Sequence, residues 1–121
     1  MKYHNILVFM LFIQFGYSQI KTKPITEVSQ NDIQNVTLLD VRTPEEFEEG
    51  HLPNALNINL FDENFVAQVN SRVSKDKKVF VYCKSGRRSA KASKKIDSLG
   101  FSVVDLLGGY LAFKKAIEEE K

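Results

Sequence analysis

The stretch that decides the fold is residues 79–90, which read Val79-Phe80-Val81-Tyr82-Cys83-Lys84-Ser85-Gly86-Arg87-Arg88-Ser89-Ala90. The apolar run predicts a buried strand ending at Cys83, and the polar residues after it lead into a predicted helix. A short loop between a strand and a helix leaves backbone N–H groups without partners, and the helix dipole adds positive potential there. The loop therefore predicts an anion site that stabilises a Cys83 thiolate, and the competing interpretation is a buried structural cysteine.

The composition indicates one domain of ordinary charge. The chain has 121 residues, 43% of them hydrophobic, and a formal net charge of +2 with acidic and basic residues interspersed. This length supports one hydrophobic core, and the near-neutral balance gives no reason to expect nucleic acid or an anionic membrane surface as a partner. The chain has one cysteine and two histidines, of which His4 lies in the N-terminal segment, so we expect no protein metal site.

The first 18 residues have the pattern of a secretory signal peptide. Lys2 precedes the uninterrupted apolar run 6–13, and the small residues Gly16 and Ser18 are typical of a cleavage site. The run is too short to span a bilayer comfortably, so we expect export to a periplasm or the medium without a stable membrane anchor. Two alternatives are an uncleaved leader that tethers the protein and a buried first strand or helix. After export Cys83 has no disulfide partner, which favours a functional thiol. We expect residues 19–24 to form a short polar approach and residues 25–121 the domain.

Strand-like and helix-like segments alternate along the rest of the chain. Strands are predicted over 36–41, 79–83 and 102–106, with a weaker candidate at 55–59. Shared apolar faces predict two helices, one containing Phe65, Val66, Val69 and Val73 and one containing Ala92, Ile96 and Leu99, which Gly100 ends. Another helix is predicted over 110–119. Capping and first-turn residues predict two more helices, one after Ser29 and Asp32 and one that begins with Pro44, Glu45 and Glu46. This order predicts a single α/β domain, with a mostly parallel central sheet of about five strands and helices on both faces. Ligands bind such sheets beyond the carboxyl ends of the strands, where Cys83 is expected.

Three separated blocks of sequence carry a resemblance to a known family. The first block, 39–58, contains Asp-x-Arg, Glu-Phe, Gly-His and Ala-x-Asn-Ile in order; the second is the loop 83–88, Cys-x-x-Gly-x-Arg; the third, 106–113, contains Gly-Gly-Tyr. In this order they are similar to the signature of the single-domain rhodaneses, or thiosulfate sulfurtransferases. The chain departs from the family pattern at Asn54, Asn59 and Phe113, where glycine, proline and tryptophan are usual, and these positions bear on packing rather than on the loop.

The resemblance implies a sulfur relay with Cys83 as the catalytic residue. The thiolate would take a sulfur atom from a small anionic donor such as thiosulfate, become a persulfide, and pass the sulfur to a thiophilic acceptor such as cyanide, a thiol or a protein thiol, without a cofactor. Arg88 is the side chain expected to hold the oxyanion, and Gly86 is expected to let the backbone curl closely around the sulfur. The remaining substrate-binding residues would be Lys84, Ser85, Arg87 and Ser89 of the same loop.

Other polar residues are expected to brace the site. Asp40 and Arg42 resemble paired positions of the family, where we expect ion pairing with Glu46 or hydrogen bonds. His51 is expected to form a hydrogen bond with a loop rather than to act as a general base. A basic row on the helix after the loop, formed by Arg88, Lys91 and Lys95 with Lys94 beside them, would steer anions towards Cys83 or be merely solvated.

Two other functions compete with the sulfurtransferase. A phosphatase or arsenate reductase on the same fold uses a loop longer by one residue, whereas here four residues separate Cys83 from Arg88 and Ser89 occupies the place that the arginine would need. A non-catalytic module that carries or senses sulfur, or merely binds a partner, is the second alternative. The intact cysteine and complete loop disfavour a purely structural module and leave the sulfur carrier open.

Overall fold

The computed structural model describes residues 19–121, and the predicted signal peptide lies outside them. In this part of the chain five strands form one parallel sheet: β1 (Lys21–Pro24), β2 (Val36–Asp40), β3 (Leu56–Asn57), β4 (Lys78–Tyr82) and β5 (Val103–Leu107), in the spatial order β1-β5-β4-β2-β3. The predicted α/β fold with a central sheet is confirmed. The three strong strand predictions agree with β2, β4 and β5 to within about one residue, a normal difference at element ends.

The polar segment expected to precede the domain is part of the sheet. Residues Lys21–Pro24 form β1, which pairs with β5 at the edge of the sheet, Thr22 lying opposite Asp105. An edge strand needs a partner on only one side, so a short, mostly exposed segment ending in proline is suited to this place. Its polar composition resembles that of a linker, and hydrophobic pattern alone does not reveal it.

Between residues 19 and 121, five helices and one short 3-10 turn accompany the strands, and the last helix follows the last strand. They are the turn Ile25–Glu27, α1 (Gln30–Gln34), α2 (Pro44–Glu49), α3 (Phe65–Arg72), α4 (Arg87–Ser98) and α5 (Gly109–Glu119). Capping boxes begin α1 and α2, because the hydroxyls of Ser29 and Thr43 each accept a hydrogen bond from the backbone N–H three residues later. Within residues 19–121 no helix is both long and apolar enough to cross a membrane.

Apolar side chains cover both faces of the sheet because successive residues of a strand point to opposite sides. One layer contains Leu39, Val41, Val79, Val81, Val103 and Cys83 with residues of α3 and α4; the other contains Leu38, Phe80, Tyr82, Val104 and Leu106 with Ile25, Leu52 and half-buried residues of α5. The predicted shared face of α3 holds for Phe65, Val69 and Val73, whereas Val66 is 39% exposed and faces solvent. β4 is the central strand, so its carboxyl end lies in the middle of the sheet edge.

Candidate active site

Cys83 follows β4 directly, at the predicted strand end. The residue is 1% exposed and belongs to the core layer that packs against α3 and α4. Its Sγ accepts a hydrogen bond of 3.1 Å from the Gly86 N–H. Cys83 is therefore buried, as the structural interpretation predicts. Its sulfur also faces the loop that leads to α4, as the anion-site interpretation predicts.

The first turn of α5 fixes the direction of the loop backbone. The N–H groups of Tyr110 and Leu111 donate to the carbonyl oxygens of Cys83 and Lys84, at 2.8 and 3.1 Å. In a planar trans peptide the C=O and the following N–H point in opposite directions, so the N–H groups of Lys84 and Ser85 point away from α5. The carbonyls of Cys83 and Lys84 therefore point towards α5, and the N–H groups of Lys84 and Ser85 point to the opposite side of the loop.

Gly109 makes this contact possible. Its φ of +62° lies in the left-handed region, and an added Cβ would lie 2.7 Å from the carbonyl oxygen of Cys83 and closer still to that of Lys84. Any other residue would push α5 off the loop. The Gly-Gly-Tyr block was recognised in the sequence as a family signature, but its role as the support of the cysteine loop becomes visible only in the structure.

Gly86 is required for a different reason from the one predicted. An added Cβ would meet nothing within 4 Å, so close approach to the sulfur does not exclude a larger residue. The backbone is the constraint, because Gly86 has a φ of +127°, a conformation that residues with a Cβ rarely adopt. This conformation directs the Gly86 N–H at Cys83 Sγ and begins α4 in the next residue.

The loop retains backbone donors for a ligand. None of the backbone hydrogen bonds described over residues 19–121 uses the N–H groups of Lys84, Ser85, Arg87 or Arg88. Arg87 and Arg88 begin α4, where unpaired N–H groups carry the positive end of the helix dipole. The Ser89 side chain does not join them: it is fully buried, and its hydroxyl donates to the Gly86 carbonyl at 3.1 Å, which holds the loop closed.

Arg88 forms a bidentate ion pair with Glu46 of α2. The two hydrogen bonds measure 2.6 Å (Nη1 to Oε1) and 2.9 Å (Nη2 to Oε2). The hydrogen bonds from Arg88 hold the pKa of Glu46 down, from 4.5 to about 2, and those to Glu46 raise the pKa of Arg88. The side chain predicted to hold an oxyanion is therefore fixed at the loop by a carboxylate, and the ring of Phe61 lies 5.8 Å from its guanidinium.

Of the two arrangements predicted for Asp40 and Arg42, an ion pair with Glu46 or hydrogen bonds that brace the site, the structure shows the second, because Arg42 pairs with Asp40. The Arg42 guanidinium donates to both carboxylate oxygens of Asp40, the shortest distance being 2.7 Å, and also to the Gly50 carbonyl at 2.7 Å. Burial opposes the charge of Arg42, but the hydrogen bonds and charge of Asp40 outweigh it and raise the pKa of Arg42. The two side chains pair because they lie two residues apart at the end of β2, where both are buried. The Tyr110 ring covers the guanidinium at 4.5 Å.

His51 and the predicted row of lysines are exposed side chains. The hydrogen bond predicted between His51 and a loop is made to a helix instead, because His51 Nδ1 donates to the carbonyl of Phe47 in α2 at 2.7 Å and the two rings stack. Lys91, Lys94 and Lys95 are exposed and form no ion pair with any residue of the described segment. Steering of anions by this row stays a prediction.

In residues 19–121 no three His, Cys, Asp or Glu side chains are grouped as metal ligands would be.

A cysteine at the start of a loop between the central strand of a parallel sheet and a helix defines the class of α/β protein to which this chain belongs. Residues 26–116 match the rhodanese-like domain family, and the chain is a member of that family. The resemblance inferred from the three sequence blocks is thereby confirmed.

Named relatives agree with this membership. Thiosulfate sulfurtransferase 16, chloroplastic, of Arabidopsis thaliana is 39% identical over 87 residues, covering 64% of this chain and 72% of that protein. The putative sulfurtransferase YtwF of Bacillus subtilis is 33% identical, covering 79% of this chain and 89% of its own length. The crystal structure of a rhodanese-related protein from Thermoplasma volcanium matches with a TM-score of 0.66 at 28% identity, covering 79% of this chain and 92% of that one.

Proposed function

We propose that the protein is an exported sulfurtransferase that moves a sulfane sulfur from thiosulfate or a related donor to a thiophilic acceptor through a Cys83 persulfide. The observation that carries the proposal is the placement of Cys83 Sγ at the Gly86 N–H, in a loop whose other backbone donors are unused. Donor, persulfide and departing sulfite are all anionic, so one set of donors serves every step. The relatives named as sulfurtransferases support the same chemistry.

The first half-reaction loads the enzyme. The Cys83 thiolate attacks the outer sulfur of thiosulfate, a bond forms between the two sulfur atoms, and the sulfur–sulfur bond of the donor breaks. Its electron pair leaves with sulfite, and Cys83 becomes a persulfide. In the second half-reaction an acceptor such as cyanide attacks the outer sulfur, thiocyanate leaves, and the bond electrons return to Cys83 as a thiolate.

The pairing of Arg88 with Glu46 suits both half-reactions. A bidentate carboxylate fixes the plane of the guanidinium, so the N–H donors of Arg88 that Glu46 does not use can bind an incoming anion without a large loss of side-chain freedom. The Arg42–Asp40 pair is buried, and the Arg42 guanidinium lies against the ring of Tyr110, whose N–H donates to the Cys83 carbonyl. Arg88 is accordingly the binding residue of the proposal, and Asp40, Arg42 and Glu46 are its positioning residues.

Export is supported by the sequence of the first 18 residues, with its basic start, apolar run and small residues before position 19. Its test is N-terminal sequencing of the protein recovered from the medium or periplasmic fraction of the producing cell. A mature N-terminus near Gln19 supports export. Recovery of the intact N-terminus from the cytoplasm contradicts it.

The catalytic proposal is tested by incubating purified residues 19–121 with thiosulfate and cyanide while thiocyanate is followed, beside a Cys83→Ser variant that is otherwise identical. Turnover by the native protein alone supports the enzyme. Equal inertness of both proteins contradicts it, and a native protein that gains one sulfur atom without turnover indicates a carrier. Hydrolysis of an aryl phosphate would favour the phosphatase alternative.

A further inference from the structure

A carboxyl group is buried one strand away from Cys83. Asp105 lies in β5 and is 6% exposed. It pairs in register with Val81 of β4, and alternation along β5 turns it to the face of Val103, the face on which Val81 and Cys83 also pack. Cys83 lies two residues beyond Val81, so the strand spacing and the rise per residue place the Cα atoms of Asp105 and Cys83 about 8 Å apart.

No cation accompanies this carboxyl. The ion pairs within residues 19–121 do not include Asp105, and burial raises the pKa of Asp105 above its ordinary value of 3.8. Its in-register neighbours are Thr22 of β1 and Val81 of β4, and α4 turns the buried side chains of Ser89 and Ser93 to the same layer. None of these four residues titrates, so the nearby titratable group on this face is the Cys83 thiol.

Ser89 links the carboxyl to the cysteine loop. Its hydroxyl donates to the Gly86 carbonyl at 3.1 Å, and its side chain is also the hydrogen-bonding neighbour of Asp105. A carbonyl and a carboxylate can only accept, and a serine has a single hydrogen to give. Ser89 therefore satisfies both neighbours when Asp105 is protonated and donates its own hydrogen to Ser89 Oγ.

We propose that Asp105 is a positioning residue of the cysteine loop and acts as a neutral carboxylic acid, whose hydrogen goes to Ser89 and leaves the Ser89 hydrogen for the Gly86 carbonyl. Gly86 in turn donates its N–H to Cys83 Sγ, so the hydrogen bonds run from β5 to the reacting sulfur. The proposal rests on the sulfurtransferase function and adds a residue to the same site.

Two further features agree with a neutral acid. The Oδ1 atom of Asp105 is buried without a partner in the described part of the chain, and such an oxygen costs less on a carboxylic acid than on a carboxylate. An ionised Asp105 would also place a negative charge near a site where thiolate, donor and persulfide are all anionic. The neutral form supports the loop without opposing these anions.

Asp105→Asn tests the protonation and needs no sulfur donor. Asparagine has the same shape, donates from its amide and does not ionise. An acid with a raised pKa in the folded state contributes its full stability below pH 3.8 and loses it as the pH rises towards that pKa. From urea unfolding at pH 4 and pH 7, we expect the folded-to-unfolded ratio of the native protein to fall at least about tenfold relative to Asp105→Asn.

The control for this measurement is Asp76→Asn, which makes the same change at an exposed carboxyl. Its difference from the native protein should stay constant between the two pH values. A constant difference for Asp105→Asn as well would show that Asp105 is ionised in the folded protein, and the proposal would be overturned.

The rate of persulfide formation tests the hydrogen bonds. Each protein is incubated with thiosulfate, and the gain of one sulfur is followed in time by intact mass. Asp105→Leu keeps the branching of the side chain and removes its hydrogen bonds, so it should slow loading about tenfold, as loss of one buried hydrogen bond does. Asp105→Asn, which keeps a donor, should restore most of the rate.

Ser89→Ala should slow loading as much as Asp105→Leu, and the double variant should be no slower, because Asp105 acts through Ser89. Ser98→Ala is the matched control, since the Ser98 hydroxyl also donates to a carbonyl three residues earlier, that of Lys95, but at an exposed position of α4. Melting temperatures show which variants are folded. If Asp105→Leu does not fold, Ser89→Ala and the unfolding of Asp105→Asn decide the question.

Failure of this proposal differs from failure of the function on which it rests. If thiosulfate does not load the native protein, the sulfurtransferase function is wrong, and the rate of Cys83 alkylation by iodoacetamide then compares the same variants. If the native protein loads and a folded Asp105→Leu loads equally fast, the role of Asp105 alone is overturned. Equal losses in Asp105→Leu and Asp105→Asn would also overturn it, because donation to Ser89 would then have no effect.

Discussion

The backbone N–H of Tyr110 donates to the carbonyl oxygen of Cys83 at 2.8 Å, which joins the last helix of the domain to the residue that bears the thiol. The two residues are distant in sequence and meet because β4 and β5 are neighbours in the sheet. The geometry of the cysteine loop consequently depends on α5 as well as on α4. Support of the loop from two helices is the feature on which the first prediction rests.

Gly109→Ala should inactivate the enzyme even where the protein remains folded. The new Cβ would collide with the carbonyls of Cys83 and Lys84, so α5 must move and the loop loses two hydrogen bonds. Gly100→Ala is the matched control, since Gly100 also has a positive φ, of +95°, but its nearest neighbour is the flexible end of Lys75. Both variants should lower the melting temperature, and only Gly109→Ala should abolish thiocyanate formation; equal activity of the two would contradict the account.

Gly86→Ala tests whether backbone conformation, rather than space, demands glycine in the loop. A φ of +127° costs a residue with a Cβ about 1–3 kcal/mol, while the surrounding space is open. We expect the alanine variant to fold, to relieve the strain by turning its N–H away from Cys83 Sγ, and to lose more than about 90% of its turnover, since that corresponds to about 1.4 kcal/mol. A folded Gly86→Ala variant with native turnover would contradict this prediction.

Glu46→Gln should weaken the protein in a pH-dependent manner. Because Arg88 lowers the pKa of Glu46 from 4.5 to about 2, the pair contributes its stability fully above pH 4.5 and loses it as the pH falls towards 2. The variant should be less stable at pH 7 by about 1 kcal/mol, since the pair is partly exposed to water. Urea unfolding at pH 7 and pH 3 should show the two proteins converging at the lower pH.

The control for this titration is Glu48→Gln, which changes an exposed carboxylate of the same helix. Asp32, whose pKa is also lowered to about 2, titrates alike in all three proteins and cancels from the differences. A constant difference between the native protein and Glu46→Gln from pH 7 to pH 3 would contradict the assigned pair.

Asp40→Asn should be strongly destabilising. It leaves the Arg42 guanidinium buried, 3% exposed, with only part of its hydrogen bonds, and breaking a buried pair in this way costs about 3–5 kcal/mol. Asp32→Asn breaks the surface pair with Lys23 and should cost far less. Chemical denaturation of both variants measures their free energies of unfolding. Equal decreases in the two variants would contradict the prediction, because burial of the Asp40–Arg42 pair would then add nothing to its stability.

Much of the fold was predictable because its strands are short, apolar and centrally placed. The predictions for β2, β4 and β5 depended on runs that only a doubly covered strand tolerates, and Gly100 ends α4 as its position indicated. β1 was not predicted as a strand, because an edge strand does not require an apolar sequence pattern. β3, only two residues long, was the weaker candidate for the same reason.

The site was predictable to the level of the loop, but not to the level of its partners. Cys83, Gly86 and Arg88 are adjacent in sequence, so their common location follows from the chain itself. Which acid pairs with which arginine depends on the angle at which α2 meets the loop, and the sequence offers both Asp40 and Glu46 to both arginines. The supporting role of Gly109 likewise depends on a tertiary contact that no local spacing encodes.

The central claim, that the Cys83 sulfur accepts one further sulfur atom, is tested most directly by the mass of the intact protein. After incubation with thiosulfate and removal of the excess, the native protein should gain the mass of one sulfur atom and lose it again on addition of cyanide, while Cys83→Ser should keep its mass throughout. An unchanged native mass, or the same gain in the serine variant, would contradict the account.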